Sequence, residues 1–257
     1  MKSLLKNFGD ELKILKNILA KNIHNFTLYK EAAYEKNGLE IGGPSKIFHK
    51  EIPVYRFLKN LDGVNFSNNT IWQGSVEEGS NYVFYKKKSA GYQFISEATD
   101  LSKIRNDSYD FILASNCLEH SANPLKALFE WRRVLKEYGK IILVVPRKDS
   151  NFDHKRLDTK FETVLNAYTN NFDESDLSSL EEILDCHDIE LDPGVKTFEE
   201  FRKRSLLNFQ NRCLHHHVYS NKLLKEILAY TNFEIIDSGS TERDFYALAK
   251  KVSIQSN

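Results

Sequence analysis

The chain has 257 residues, of which 41% are hydrophobic, so it can bury a sizeable core and is not globally disordered. Lysine plus arginine and aspartate plus glutamate balance at 36 each, which leaves no net charge to attract nucleic acid or an anionic membrane. The cysteines are too few and too widely spaced for a disulfide framework or a CxxC metal pair: Cys117, Cys186 and Cys213. These features predict a soluble, cytoplasmic protein with neither a nucleic-acid nor a membrane partner.

The first segment, residues 1–30, is predicted to be an amphipathic helix. Apolar residues recur there at helical spacing, with lysines between them. Leu4 and Leu5 are followed at once by Lys6, so no apolar stretch of a secretory signal forms. The segment up to residue 34 either packs on the edge of the domain or covers a ligand crevice as a lid.

Residues 38–146 alternate short apolar runs with connecting segments. The connections at 47–60 and 70–90 are read as a helical or irregular crossing and as a loop with a weak hairpin. This alternation predicts a Rossmann-like, doubly wound and mostly parallel sheet with right-handed crossovers. Its first five strands are expected at 38–43, Asp62–Phe66, Tyr92–Ile95, Tyr109–Ala114 and Ile141–Val145.

Helix signals and an acidic stretch complete the predicted architecture. Asn123 and Pro124 are typical of a helix start, and that helix is expected to reach Lys136 and to end at Gly139. Between Asp173 and Asp192 there are nine acidic residues and no lysine or arginine, which predicts a solvated, mostly helical insertion. The insertion is placed at 151–213 of one domain. A helix at 221–231 and strands at Phe233–Asp237 and Phe245–Lys250 then complete a seven-stranded sheet.

The first strand leads into a glycine pair, Gly42-Gly43, at the place where a doubly wound sheet binds a nucleotide-like ligand. Asp62 follows Gly43 by 62 − 43 = 19 positions, near the offset of about 20 residues at which such folds place a ribose-binding acid. A plain Asp-Gly turn explains Asp62 equally well.

Five motifs in this order resemble a class I S-adenosylmethionine-dependent methyltransferase of the type 11-like group. The resemblance covers residues 35–146 and the closing helix and strands. Its most specific part is the stretch that combines Leu118-Glu119-His120 with Asn123-Pro124. The other motifs are Leu39-Glu40-Ile41-Gly42-Gly43, Glu97-Ala98-Thr99-Asp100-Leu101, Tyr109-Asp110-Phe111, and Leu135-Lys136 with Gly139.

The resemblance implies S-adenosyl-L-methionine as the cofactor and a set of residues around it. Asn65 is an alternative to Asp62 for the ribose. The implied cofactor residues are Glu40, Gly42, Gly43, Asp62, Glu97, Ala98 and Asn116. Of these, Glu97 and Ala98 are implied to bracket the adenine, and Asn116 to lie beside the sulfonium. Pro44-Ser45 depart from the usual glycine-rich loop, which leaves open a degenerate fold that only binds a partner. The same proline argues against a dehydrogenase, whose pyrophosphate needs free backbone amides.

The methyl acceptor is expected to bind the insertion and the loop after the fourth strand. A neutral hydroxyl needs a base, for which the candidates are His120, His216 and Asp153. An anionic acceptor needs a positive site, for which the candidates are His154, Arg156, Arg212, His215 and His217. No metal is assigned, although a metal-dependent site at His215 and His217, with Asp153 or His154, stays an alternative. Similar members imply O-methylation of a sugar, a nucleotide-linked sugar or a phosphate- or phosphoramidate-type precursor of bacterial surface (capsular) polysaccharide.

Overall fold

An eight-stranded sheet organises the computed structural model, which describes residues 23–85 and 90–253. The strands are β1 Asn37–Ile41, β2 Asn60–Asn65, β3 Asn69–Thr70, β4 Gly74–Ser75, β5 Gly79–Tyr82, β6 Gly91–Ile95, β7 Tyr109–Ser115, β8 Leu135–Pro146, β9 Phe233–Ser240 and β10 Asp244–Lys251. The helices are α1 Phe26–Ala33, α2 Ile47–Lys50, α3 Pro124–Val134, α4 Phe161–Thr169, α5 Leu180–Cys186, α6 Phe198–Leu206, α7 Asn208–Asn211 and α8 Asn221–Tyr230. Short 3₁₀ helices lie at Tyr55–Phe57, Leu118–His120, Lys148–Ser150 and Ile189–Leu191.

The strand order is β5-β6-β2-β1-β7-β8-β10-β9, and β3 pairs with β4 in a separate hairpin. The five strands from β6 to β8 run parallel, whereas β5, β10 and β9 pair antiparallel with their neighbours. The predicted doubly wound α/β fold is confirmed. The predicted count of seven strands was wrong, because β5, within a segment read as a loop, adds an antiparallel edge to β6.

Alternating side chains of the central strands enter two separate apolar layers. In β7, Ile112 packs into one layer, while Phe111 and Leu113 pack into the other. β8 shows the same alternation: Leu143 lies in the first layer and Val144 in the second. Continuous apolar sequence is therefore required in these strands, because both faces of a parallel sheet are covered.

Helix α3 begins as predicted and ends earlier than predicted. The Asn123 side chain accepts a hydrogen bond from the Lys126 amide at 3.1 Å, and Pro124 occupies the first turn. The helix stops at Val134 rather than near Gly139, because Leu135 is already extended and pairs with Tyr109 in the sheet. Tertiary strand pairing thus overrides the helix propensity of the Leu135-Lys136 stretch.

The described part of the N-terminal segment packs on the sheet. Tyr29, Ala32 and Ala33 of α1 are buried in the second layer, and the Tyr29 hydroxyl donates to Asp237 Oδ2 at 2.9 Å. The rest of the predicted helix, residues 1–22, lies outside the described residues. Among the residues that the structure describes, no helix combines the length and apolar character needed to cross a membrane.

The insertion at 151–213 is mostly helical, with its own small apolar cluster around Ile183, Phe201 and Leu214. Its acidic stretch was predicted to be a solvated face, but two of its carboxylates contact basic side chains. Asp192 is hydrogen-bonded to His187 and forms an ion pair with Arg204, and Asp188 contacts His154 and pairs with Lys155 (Nζ–Oδ2 3.2 Å). His154, Lys155 and Arg204, which lie outside the acidic run, therefore help to fix the insertion.

Candidate active site

A cleft of about 310 Å³ opens at the carboxyl ends of β1, β2, β6 and β7. Each of these parallel strands delivers one lining group just beyond its end: Gly42, Phe66, Glu97 and Asn116. A parallel sheet brings all these strand ends to one edge, which is where doubly wound folds bind ligands. The structure thus brings together Gly42, Glu97, Ala98 and Asn116, four of the seven predicted cofactor residues.

The turn after β1 allows close approach of a ligand to the backbone. Gly42 has φ +76°, a conformation that other residues rarely adopt, and a Cβ there would lie 2.9 Å from the Cys117 Cβ. The next residues, Pro44 and Ser45, also line the cleft. A glycine is therefore required where the loop faces the cleft.

Glu40 stabilises this turn from behind and does not line the cleft. Its buried carboxylate accepts hydrogen bonds from the hydroxyls of Tyr55 (2.7 Å) and Tyr82 (2.6 Å) and from the Ser45 amide (3.0 Å). Burial raises the pKa of Glu40 to about 7 against the opposing effect of these donors. Gly43 also lies outside the cleft lining. It packs against Glu40, because a Cβ at Gly43 would meet the Glu40 carboxyl carbon at 2.1 Å. Both residues support the turn.

Asp62 lies away from the cleft, unlike the ribose-binding position expected for it. It sits in the first half of β2, where its carboxylate accepts from the Tyr92 amide at 2.8 Å and the Tyr109 hydroxyl at 2.7 Å. The alternative, Asn65, ends β2 inside the cleft and donates to the Gly43 carbonyl at 3.2 Å. The sequence offset misplaces the acid because β2 begins two residues before Asp62 and ends three residues after it.

Glu97 and Arg212 form one wall of the cleft. Arg212 Nη2 lies 2.5 Å from Glu97 Oε1, and the guanidinium stacks 5.1 Å from the Phe66 ring centroid. The neighbouring Ala98 is fixed because its carbonyl accepts from Trp131 Nε1 at 2.9 Å. Arg212 was predicted to bind an anionic acceptor. The structure instead pairs it with a carboxylate beside the predicted adenine residues.

His120 lies in the cleft beside Asn116, Cys117 and the hairpin residue Trp72. Its Nδ1 is 3.1 Å from the Leu214 carbonyl oxygen, which makes Nδ1 the protonated nitrogen and leaves Nε2 unprotonated. The Trp72 ring centroid lies 5.0 Å from the imidazole centroid. Burial and nearby His215 hold the pKa of His120 well below its usual value, so the ring is neutral near pH 7.

His215 lies behind His120, and the ring centroids are 4.6 Å apart. Its Nδ1 is 2.5 Å from Asp153 Oδ2, and the other oxygen of Asp153 accepts from Arg156 at 3.0 Å. These two partners lower the pKa of Asp153 to about 2, against the effect of its burial. Asp153 raises the pKa of His215, although burial alone would lower it. Asp153 is thus a support for His215 rather than a base that reaches the cleft.

The remaining predicted base, His216, and the other predicted substrate residues do not line the cleft. His154 is partly exposed and pairs with Asp188 at 2.8 Å. His216 accepts from Asn208 Nδ2 at 2.9 Å, and His217 donates to the Ala122 carbonyl at 3.2 Å. Burial lowers the pKa of His216 to about 3 and that of His217 to about 4, so neither ring is charged near pH 7. Arg156 is buried between Asp153 and Glu182.

Two residues beside His120, Glu119 and Trp72, were not assigned a role from the sequence. Glu119 is buried beside His120, with 3.9 Å between its Oε1 and the His120 Nε2. In the sequence, its position next to the predicted catalytic residue His120 was the feature that could have indicated a role for Glu119. Trp72 reaches the cleft from the hairpin segment. Nothing in the local sequence distinguishes it from a surface loop residue, because only the fold brings this segment to His120.

The sequence matches a family profile described as a methyltransferase domain over residues 12–238. A short stretch of 46 residues is 52% identical to an uncharacterised protein of Methanocaldococcus jannaschii, and this match covers 18% of the chain and 20% of that protein. A methyltransferase structure from Methanosarcina mazei superposes with a TM-score of 0.51 at 16% identity, over 90% of this chain and 99% of that one. One from Aquifex aeolicus gives 0.47 at 14% identity, over 90% and 92%.

The residues of the cleft suit S-adenosylmethionine. The positive-φ glycine opens the backbone beside Asn116, apolar groups such as Val64 and Ala98 can flank an adenine ring, and the Glu97 carboxylate lies at the same end. When bound, this cofactor supplies a methyl group on a positively charged sulfur. The family match covers most of the chain, and its description names a methyltransferase. The chain belongs to the methyltransferase domain family and is an S-adenosylmethionine-dependent methyltransferase.

Proposed function

We propose that this enzyme transfers the methyl group to a hydroxyl oxygen of a small, sugar-like acceptor. The observation that carries the proposal is the position of His120, a neutral imidazole in the cleft beside Asn116 and Trp72. Asn116, at the end of β7, marks the place where the resemblance puts the sulfonium. The acceptor oxygen would thus lie between the methyl donor and a polar group that can orient it.

The environment favours a neutral acceptor over an anion. Both arginines that the sequence predicts for an anion site are paired with carboxylates, Arg156 with Asp153 and Glu182 and Arg212 with Glu97. An anionic acceptor would have to compete with those carboxylates and would meet Glu174 at the cleft wall. The Trp72 indole is 49% exposed and offers an apolar face on which a sugar ring can stack.

The transfer is an in-line displacement. A bond forms between the acceptor oxygen and the methyl carbon while the carbon–sulfur bond breaks, and the sulfur keeps the electron pair. The hydroxyl proton leaves into the polar end of the cleft, around His120, and from there to solvent. The chain's residues position the two reactants and exclude water, which is how most of the acceleration arises in such reactions. The helical insertion closes the acceptor side in this proposal, and the role in surface-polysaccharide synthesis stays a prediction.

A panel assay tests the proposal. Release of S-adenosylhomocysteine would be measured with neutral sugars, nucleotide-linked sugars and phosphorylated or carboxylated acceptors. We expect methylation of neutral hydroxyls, and exclusive use of acceptors whose anionic oxygen becomes methylated would refute it. Trp72→Ala should raise the acceptor KM and leave the calorimetric Kd for S-adenosylmethionine within about twofold, since the indole contacts the acceptor side. Tyr138→Ala is the matched control, because it removes an exposed aromatic side chain outside the cleft lining.

A further inference from the structure

We propose that Glu119, His120 and His215 bind a divalent transition-metal cation at the polar end of the cleft. One carboxylate oxygen and one nitrogen from each histidine lie within 4.8 Å of one another. These residues come from two distant segments, the turn after β7 and the extended stretch before α8. The fold therefore assembles a candidate site that no spacing in the sequence predicts. This inference rests on the proposed function only for what the cation does, not for whether it binds.

The distances require a small closure around an ion. Glu119 Oε1 and His120 Nε2 are 3.9 Å apart. Ligand atoms bound at about 2.0–2.2 Å to one tetrahedral ion lie about 3.4 Å from each other. To bind one ion, the ligand atoms would thus have to approach one another by distances between a fraction of an ångström and somewhat more than one ångström. Changes of χ angles within the existing rotamers can supply this movement without rearranging the backbone.

The hydrogen bonds on the far side of both rings are those of metal-binding histidines. His120 directs Nδ1 to the Leu214 carbonyl oxygen at 3.1 Å, and His215 directs Nδ1 to Asp153 Oδ2 at 2.5 Å. A carbonyl or carboxylate on one ring nitrogen fixes the tautomer and orients the other nitrogen towards an ion. Asp153 is in turn fixed by Arg156 at 3.0 Å. Both Nε2 atoms are consequently the ring nitrogens left to bind an ion.

Glu119 provides an independent observation. Its residue is 1% exposed, yet its Oε2 atom has no hydrogen-bond partner among the described residues. Burying an unpaired carboxylate oxygen is costly, and each such group in a folded protein needs an explanation. A cation held by both carboxylate oxygens of Glu119 and by the two imidazoles would satisfy that oxygen and neutralise the charge. The unpartnered oxygen therefore points to a ligand at this position.

Two histidines and one carboxylate form a ligand set that suits borderline divalent ions such as Zn²⁺, Co²⁺ and Fe²⁺. Such a set leaves coordination positions open. Because His120 lines the cleft, an open position would face the acceptor. A hydroxyl bound there would lose its proton to solvent more readily, as water does on a protein-bound zinc ion. The cation would thereby assist the proposed O-methylation.

The experiment uses the full chain after treatment with a chelator. Co²⁺ would be titrated by visible absorption and calorimetry, and bound zinc would be measured by elemental analysis of the untreated protein. We expect one equivalent of Co²⁺ with the absorption of a low-symmetry site. Asp153→Asn should weaken Co²⁺ binding by about 10–100-fold, because His215 loses the carboxylate that orients it. Glu119→Gln and His215→Ala each remove a ligand and should weaken binding by at least as much. His217→Ala is the matched control, since it removes a buried histidine of the same segment that bonds elsewhere.

Circular dichroism and S-adenosylmethionine binding would show whether each variant folds. If Glu119→Gln does not fold, His120→Asn takes its place, because that side chain is only partly buried. No Co²⁺ binding by folded wild-type protein at millimolar metal would overturn the inference, as would binding that survives loss of two ligands. Methylation of neutral hydroxyls at an undiminished rate without any metal would overturn the assistance that the cation is proposed to give and leave the proposed function standing. Co²⁺ binding together with methylation of anionic acceptors alone would refute the proposed function and leave the cation site standing.

Discussion

Gly42→Ala tests the placement of the cofactor cleft. The alanine must adopt φ near +76°, which costs about 1–2 kcal/mol for an L-residue. Its Cβ would also lie 2.9 Å from the Cys117 Cβ, a distance that requires one segment to move. Overpacking of this kind costs about 1–3 kcal/mol. Both residues line the cleft, so relaxation of the clash moves one of them towards the ligand, and cofactor binding must reverse that shift.

A free energy of about 1–3 kcal/mol corresponds to a rise in Kd of about 5–150-fold, which calorimetry with S-adenosylmethionine can measure. Gly74→Ala is the matched control. Gly74 has φ +68°, and a Cβ there has no atom within 4 Å, so that variant has similar backbone strain without the clash. It should lose thermal stability and keep the wild-type Kd. A folded Gly42→Ala protein with unchanged Kd would refute the placement of the cofactor.

Three further results are expected from single substitutions. Glu97→Ala should raise the Kd for S-adenosylmethionine by about 2–13-fold, since Glu97 is partly exposed and one such hydrogen bond is worth about 0.5–1.5 kcal/mol. Asp62→Asn should leave that Kd unchanged and lower thermal stability, because the carboxylate bonds Tyr92 and Tyr109; weaker binding would restore Asp62 as the ribose acid. The raised pKa of Glu40, about 7 against 4.5, gives stability that is fully present below pH 4.5 and is lost as pH rises to about 7. Urea titrations of wild type and Glu40→Gln would measure this. The unfolding free energy of wild type, relative to that of the variant, should fall by up to about 3 kcal/mol across that range, and a pH-independent difference would contradict this.

The alternation of buried strands and crossovers was readable from the sequence because it depends on local periodicity. β7 and the middle of β8 are apolar on both faces, and helix α3 carries its own cap at Asn123. These features predicted the doubly wound fold. The sequence also placed the turn at Gly42 and the residue Glu97 at the cleft, since each lies within two residues of a strand end and parallel strand ends share one edge.

Only the tertiary structure decided which polar residues share a site. The His215–Asp153 pair spans 62 positions and the contact of His120 with Leu214 spans 94, so no local pattern could reveal either. The three consecutive histidines look equivalent in sequence, yet neighbouring residues of an extended stretch point to different sides. His215 therefore faces His120, while His216 turns to Asn208. Charge pairing was equally hidden: Arg156 and Arg212 attract anions in isolation, but the fold surrounds them with carboxylates before any ligand arrives.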